Sequence, residues 1–366
     1  MAAPCSHRLG ASPRVVGGVI LSILNVAYPF APVSPASVGG AEQVLGRIDD
    51  ALVEAGHRST VIACAGSRTA GELIELPAVD GFIDHRVRAR TWDRCRETIE
   101  SVLLAKSIDV VHFHGLDYIH YLPRPGTPTL ITLHLPQDWY DAEALGIERP
   151  HTWLHGVSSA QLGATKANTI PPIENGVSLS PSQFHAKRRF ALCLGRICPE
   201  KGVHLAIEAA KRADITLLIA GCTFPYPDHV RYFEEEVRPQ LDRRRRFIGP
   251  IGIVRKRRLL AAAQCVLVPS LVAETSSLVA REALACGTPV VGFPRGALRS
   301  IIEHGRTGYL VDEADGMSRA IEACRHLSGA VCREAGARFS ARRMIEQYFE
   351  VYRQLGSGVA TRDADG

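Results

Sequence analysis

One stretch restricts what this chain can fold into more than any other. Cys265 to Val268 is a short apolar run that reads as a buried strand. A helical pattern follows, with Thr275 or Ser276 as the expected N-cap and Gly287 as the residue that closes it. The apolar run Pro289 to Phe293 then reads as the next strand. Strand, helix and strand at this spacing make a right-handed βαβ unit, so the second half of the chain requires a parallel sheet.

That unit carries two acids, Glu274 and Glu282, eight residues apart. On one helix they would stand roughly 12 Å apart along the axis. A glycosidase holds its two carboxyl groups about 5 to 9.5 Å apart, so that pairing is disfavoured. The separation suits the two ends of an extended ligand, with one acid at ribose hydroxyls and the other, at the helix start, facing a sugar.

The first half of the chain alternates strand and helix in the same way. Strands are expected at Ile20–Ala27, Ser59–Ala63, Val110–His114 and Thr129–Leu133, and helices at Ala41–Ala55, ended by Gly56, and Thr91–Lys106. The first loop holds Val38-Gly39-Gly40-Ala41-Glu42, glycines that lead into a helix whose free N–H groups favour an anion. It lacks the G-x-G-x-x-G of a dinucleotide binder, which disfavours a dehydrogenase. His112, His114 and His134 end strands, where an open α/β sheet faces its ligand. His112 alternates inward and reads as structural. In the second half, Phe190 to Gly195 reads as a strand followed by two cations, Arg196 and Lys201, and the helix Val203–Arg212; Leu217 to Gly221 is the next strand and turn.

Composition narrows the class. The chain has 366 residues, 46% of them apolar and 22% charged, as two ordinary soluble globular domains would. A net charge of +5 fits anionic ligands or a lipid surface; the runs Arg243–Arg246 and Arg255–Arg258 lack an aromatic platform, so nucleic acid is not expected as a partner. Ten cysteines without a C-x-x-C pair point to reduced thiols in a cytoplasmic setting, with peripheral contact at an anionic inner membrane face left open. No run of about 20 apolar residues is present to span a bilayer. No D-x-D falls at a strand end, so no metal site and no cofactor are expected.

The stretch Glu274 to Val291 resembles the C-terminal signature of the retaining GT-B glycosyltransferases of family GT4, an E-x7-E before A-x-G-x-P-V-V. The resemblance extends over about residues 20 to 355. It includes the Gly-Gly loop, Pro171 to Val177 as a hinge turn, and Gly195-Arg196 to Lys201-Gly202 as the G-R-x-x-x-x-K-G motif. Thr275-Ser276-Ser277 and Arg299-Ser300 depart from the family's pattern. The resemblance implies two Rossmann-like domains facing across a cleft. Their expected bounds are 17–170 for the acceptor side and 189–338 for the nucleotide-sugar side. A linker would span 171–188, a C-terminal helix would cross back at 339–356, and 1–16 and 357–366 would be disordered ends.

The resemblance also implies roles. Arg196 and Lys201 would hold the donor diphosphate, with Gly39, Gly40 and Gly221 close to the nucleotide. Glu282 would take the ribose, and Glu274 and His134 would meet the transferred sugar. His114 and Glu42 would lie on the acceptor side. The implied reaction moves a sugar from a UDP- or GDP-linked donor to a hydroxyl acceptor (a sugar, a lipid-linked group or a small molecule) with retention. A sugar-nucleotide epimerase or phosphorylase of the same fold, or a non-catalytic nucleotide-sugar binder, remains the alternative.

Overall fold

A computed structural model describes residues 19–34, 37–79, 81–161, 167–178 and 186–357. The expected N-terminal extension, most of the C-terminal tail and residues 179–185 of the expected linker lie outside the described residues.

Two six-stranded parallel sheets account for the architecture. The first comprises β1 (Ser22–Val26), β2 (Arg58–Cys64), β3 (Glu72–Leu76), β4 (Val110–Phe113), β5 (Thr129–Leu133) and β6 (Thr152–Gly156), in spatial order β3-β2-β1-β4-β5-β6. The second comprises β7 (Arg188–Leu194), β8 (Thr216–Ala220), β9 (Arg245–Phe247), β10 (Ala263–Val268), β11 (Val290–Gly292) and β12 (Gly308–Leu310), in order β12-β11-β10-β7-β8-β9. Central strands are buried and mostly apolar, as sheets covered on both faces require, with Asn25, His112 and Thr132 among the buried polar exceptions. The chain is α/β with two Rossmann-like units in the GT-B arrangement.

Strand order reverses between β1 and β4 in one sheet and between β7 and β10 in the other. Ligands of open α/β sheets settle beyond the carboxyl ends of strands at that reversal. Those ends lead into Tyr28 and His114 on one side, and into Gly195 and Pro269 on the other.

The two units are tied by paired crossings. Val177 donates its N–H to the Phe339 carbonyl at 2.8 Å, and Ala341 donates to the Val177 carbonyl at 3.1 Å. The helix Ala341–Gly356 then buries Met344, Tyr348, Tyr352 and Leu355 against Leu21, Ile23, Val110 and Leu130 of the first sheet. Its four-residue period presents one apolar stripe, and each such burial is worth about 1.5–3 kcal/mol. Arg281, 1% exposed, pins the outgoing strand by donating to the Asn175 carbonyl and pairing with Glu174 at 2.6 Å.

Several boundaries differ from expectation. The expected helix at Thr91–Lys106 begins at His85, because Asp84 caps it by accepting from the Val87 N–H at 2.8 Å. The strand Glu72–Leu76, Glu-Leu-Ile-Glu-Leu, was not anticipated. Its exposed edge tolerates acids that mask an apolar run. Part of the run Arg243–Arg246 forms the edge strand β9, with Arg244 paired to Asp214 and Arg245 to Asp242. Among the described residues no helix is long and apolar enough to cross a membrane.

Candidate active site

The half of the site on the second sheet is built on two glycines. Gly195 follows β7 at φ +146° and Gly221 follows β8 at φ +153°. A Cβ on Gly221 would stand 1.7 Å from the Gly195 carbonyl oxygen, so no other residue lets these loops pass. Arg196 follows, 3.7 Å from Glu200 and stacked over the Phe224 ring. Pro199–Lys201 turns the chain, and Gly202, at φ +60°, opens the helix Val203–Arg212. The Lys201 ammonium donates to Glu274 Oε1 at 2.6 Å, and the Ser270 hydroxyl donates to the same oxygen. Burial pushes the Glu274 carboxyl up, but Lys201, Ser270 and Arg196 outweigh it and hold it below its ordinary value. The result is a buried carboxylate with two cations beside it.

Glu274 does not lie on a helix. The helix spans Leu278–Ala285 and starts at Ser277, which sits at φ +45° and gives no side-chain cap, so neither Thr275 nor Ser276 is the N-cap. Thr275 is used otherwise: its hydroxyl donates to the His134 carbonyl at 2.7 Å, across the cleft. Glu274 lies in the preceding loop, held by the Ala297 N–H donating to its carbonyl at 2.7 Å. Glu282 alone of the two acids is helical. It accepts from Lys256 at 2.8 Å and faces Arg47 of the first unit at 3.4 Å. Gly195, Gly221, Lys256 and Glu282 line one recess, away from Glu274. The two acids therefore line separate recesses.

On the opposing side, Gly39 is the N-cap of the helix Gly40–Glu54 and supplies no side-chain bond to its free N–H groups. The Glu42 carboxylate folds back over it: a Cβ on Gly39 would lie 1.8 Å from Glu42 Oε2. Glu42 is buried, and that burial pushes its carboxyl up against the pull of its own backbone N–H and Arg196. An anion at this helix start would displace or protonate Glu42. Gly40 lies against Leu278.

His114 and His134 form a unit. Their Nδ1 and Nε2 atoms are 3.0 Å apart and their rings stack at 5.3 Å. Burial, then the neighbouring imidazoles, pulls His134 down to about 3 and His114 well below its ordinary value, so both are neutral. His112 is structural, and its tautomer follows from its neighbours. His155 Nδ1 faces the Gly156 carbonyl at 2.9 Å and must donate. Its Nε2 then accepts from Thr132, which accepts from His112 Nε2, leaving His112 Nδ1 to accept from the Tyr352 hydroxyl at 2.7 Å.

The cleft between the halves has a volume of about 470 Å³ and brings together Gly39, Gly40, Glu42, His114, His134, Arg196, Lys201 and Glu274. Tyr28, Tyr226 and Arg88 also reach it and were not singled out in the sequence. The Tyr28 and Tyr226 hydroxyls lie 2.6 Å apart across the opening, with Arg88 over the Tyr226 ring. Arg47 and Lys256, the partners of Glu282, were missed as well; nothing in their local sequence marks them. Cys198, Glu200 and His229 each offer a ligand atom within 4.8 Å of the others. Burial pushes the Cys198 thiol up to about 12 and Arg196 answers Glu200, so the trio has a weak hold on a cation.

Comparison with known proteins agrees with this geometry. Residues 188–328 match the family described as "Glycosyl transferases group 1" and residues 38–163 match "Glycosyltransferase Family 4". Together the two matches take in more than two thirds of the chain. The chain is a family GT4 glycosyltransferase. It is 26% identical over 324 residues to the phosphatidyl-myo-inositol mannosyltransferase of Mycolicibacterium smegmatis, covering 77% of this chain and 80% of that one. It is 38% identical over 261 residues to the D-inositol 3-phosphate glycosyltransferase of a Nocardioides species, covering 68% of this chain and 48% of that protein, less than half its length. Among solved structures, AviGT4, a glycosyltransferase involved in avilamycin A biosynthesis, superposes with a TM-score of 0.66 at 26% identity, over 93% of this chain and 99% of the other. Arg196, Lys201 and Lys256 lie in the stretch matched by the group 1 family, whereas Arg47, the other partner of Glu282, lies in the stretch matched by Glycosyltransferase Family 4.

Proposed function

We propose that this glycosyltransferase moves a sugar from a UDP- or GDP-linked donor to a hydroxyl of a polyol acceptor, with retention at the anomeric carbon. The observation that carries this reading is the placement of Arg196 and Lys201 beside a buried Glu274, with Glu282 in a separate recess of the same unit. In this reading Arg196 and Lys201 take the diphosphate, Glu282 takes the ribose diol, and Gly221 lets the backbone approach the nucleotide. Glu274 stands at the transferred sugar.

The chemistry needs fixed cations more than a nucleophile. As the bond from the anomeric carbon to phosphate breaks, charge grows on the departing diphosphate, and preorganised cations stabilise it. The acceptor hydroxyl attacks the same face, and its proton passes to the departing phosphate oxygen. Neutral His134, stacked on His114, orients sugar hydroxyls and carries no charge that would compete. The acceptor enters from the side of His114 and Glu42. Arg88 forms no ion pair among the described residues, which suits an acceptor bearing an anionic group. One relative is named for phosphatidyl-myo-inositol and another for D-inositol 3-phosphate, and a phosphorylated cyclitol is the acceptor class proposed first. The proposed setting is cytoplasmic, with contact at an anionic membrane surface if the acceptor is lipid-linked.

The test is a transfer assay pairing UDP-glucose, UDP-N-acetylglucosamine and GDP-mannose with inositol, inositol phosphate and phosphatidylinositol, with products read by NMR. An α-linked product from one α-donor supports the proposal. Donor conversion without acceptor would favour the epimerase reading, and nucleotide binding without any turnover would favour the non-catalytic one.

A further inference from the structure

The second sheet carries a cavity at the end away from the cleft. It lies where β7 begins at Arg188 and β10 at Ala263, whereas the cleft lies beyond Leu194 and Val268. At about 3.3 Å per residue, β7 holds the two roughly 20 Å apart. Its volume is about 510 Å³, within the range of small-molecule sites.

Every charged residue on its wall is basic. Lys187, Arg188, Arg189, Arg325 and Arg333 contribute to it, and no carboxylate does so among the described residues. Arg188, Arg189 and Arg325 put like charges around one space, and these repel one another unless an anion is present. Arg188 and Arg189 form no ion pair among the described residues, and the Arg325 pair with Glu322, at 3.1 Å, is exposed and weak. The Lys187 ammonium turns inward to the Ala261 carbonyl at 2.9 Å and the Thr288 hydroxyl, where burial pulls it down to about 8. A second feature is compatible with an anion. The nine-residue helix Gly329–Ala337 starts on this wall, and its N-cap Ser328 gives no side-chain bond to the first-turn N–H groups.

We propose that this cavity is a second binding site, separate from the donor cleft, for a small phosphorylated ligand. Guanidinium groups such as those of Arg188, Arg189 and Arg325 pair with phosphate oxygens bidentately, which favours phosphate over a monocarboxylate. The site also touches the donor end: Cys286 and Gly287 on its wall terminate the helix that carries Glu282, one turn earlier.

The experiment is calorimetry with inorganic pyrophosphate on the full chain. Wild type is expected to show two sites. Lys201→Ala should lose one and keep the other, and Arg188→Ala/Arg189→Ala should weaken the second at least 10-fold while nucleoside diphosphate affinity is retained. A second double variant, Arg189→Ala/Arg325→Ala, repeats the test if the first does not fold. Vesicles containing phosphatidylinositol phosphate, bound by wild type and not by the double variant, support the site with a lipid headgroup as its source. A Lys201→Ala protein that binds no pyrophosphate, or a folded double variant with wild-type binding, overturns the proposal whether or not the donor reading stands.

Discussion

The Lys201 ammonium stands 2.6 Å from a Glu274 carboxylate whose side chain is only 8% exposed. The lysine reaches this acid from the loop after β7, and the acid arrives from the loop after β10, so the pair joins the two strands that flank the sheet's reversal. Removing the cation leaves a buried carboxylate whose remaining partners are Ser270 and the more distant Arg196.

Lys201→Ala is therefore expected to change how stability depends on pH. In wild type the Glu274 carboxyl lies below its ordinary value, so its contribution is complete above that value and is lost as pH falls through the lowered one. Without Lys201, burial dominates and the carboxyl rises. The variant should lose about 1–3 kcal/mol at pH 7 and progressively less towards pH 4. Denaturant unfolding at several pH values checks this; a loss independent of pH would contradict it.

Glu282 separates ribose from phosphate recognition. Glu282→Gln should weaken nucleoside diphosphate binding about 10- to 100-fold, the worth of charge-assisted hydrogen bonds. Pyrophosphate should bind unchanged or more tightly at the donor site, because Lys256 and Arg47 lose their counter-charge. Equal losses for both ligands would remove Glu282 from the ribose.

Much of the framework could be read directly from the chain. The strand Thr129–Leu133 and the helix Val203–Arg212 fall where apolar period and caps put them, and β1, β2 and β4 differ from expectation by a few terminal residues. Local patterns carry that information. What they do not carry is contact between units. Arg47 and Lys256 meet at Glu282 from positions 209 residues apart, and Tyr28 meets Tyr226 only because two loops face across the cleft. The helix start was misread for another reason: Ser277 takes φ +45°, a conformation that a Thr-Ser-Ser sequence does not announce.

Four imidazoles buried in or beside the first sheet predict acid sensitivity. His112, His114, His134 and His155 are each held neutral, below the ordinary value of about 6.5, first by burial. The unfolded chain binds protons that the fold refuses, so their contribution is complete above about pH 6.5 and is lost as pH falls. The slope approaches about 1.4 kcal/mol per pH unit for each histidine. Unfolding free energies at pH 7.5 and 5.5 test this; a flat profile would contradict it.

Tyr352→Phe isolates one link of that network. It leaves His112 Nδ1 buried without its 2.7 Å partner and should cost about 1–3 kcal/mol while donor affinity stays within a factor of about two. Urea unfolding alongside nucleotide titration distinguishes this from a role in the cleft.

Gly221→Ala should do more than strain the backbone, since its Cβ would meet the Gly195 carbonyl at 1.7 Å. Gly66→Ala is the control: φ is +85°, with nothing within 4 Å of the added carbon, and the cost should be about 1 kcal/mol. Thermal unfolding should rank Gly221→Ala well below Gly66→Ala, with nucleotide binding lost only in the former. Equal shifts would show that the glycine pair is not a close approach.

The most direct test of the account is calorimetric titration of UDP, GDP and ADP into wild type and Lys201→Ala at pH 7.5. One nucleotide should bind the wild type with clear preference, and the variant should bind it about 10- to 100-fold more weakly, as loss of a charged phosphate contact requires. Undiminished affinity in a folded variant, or no binding of any nucleotide to the wild type, would contradict the assignment of this cleft to a nucleoside diphosphate sugar.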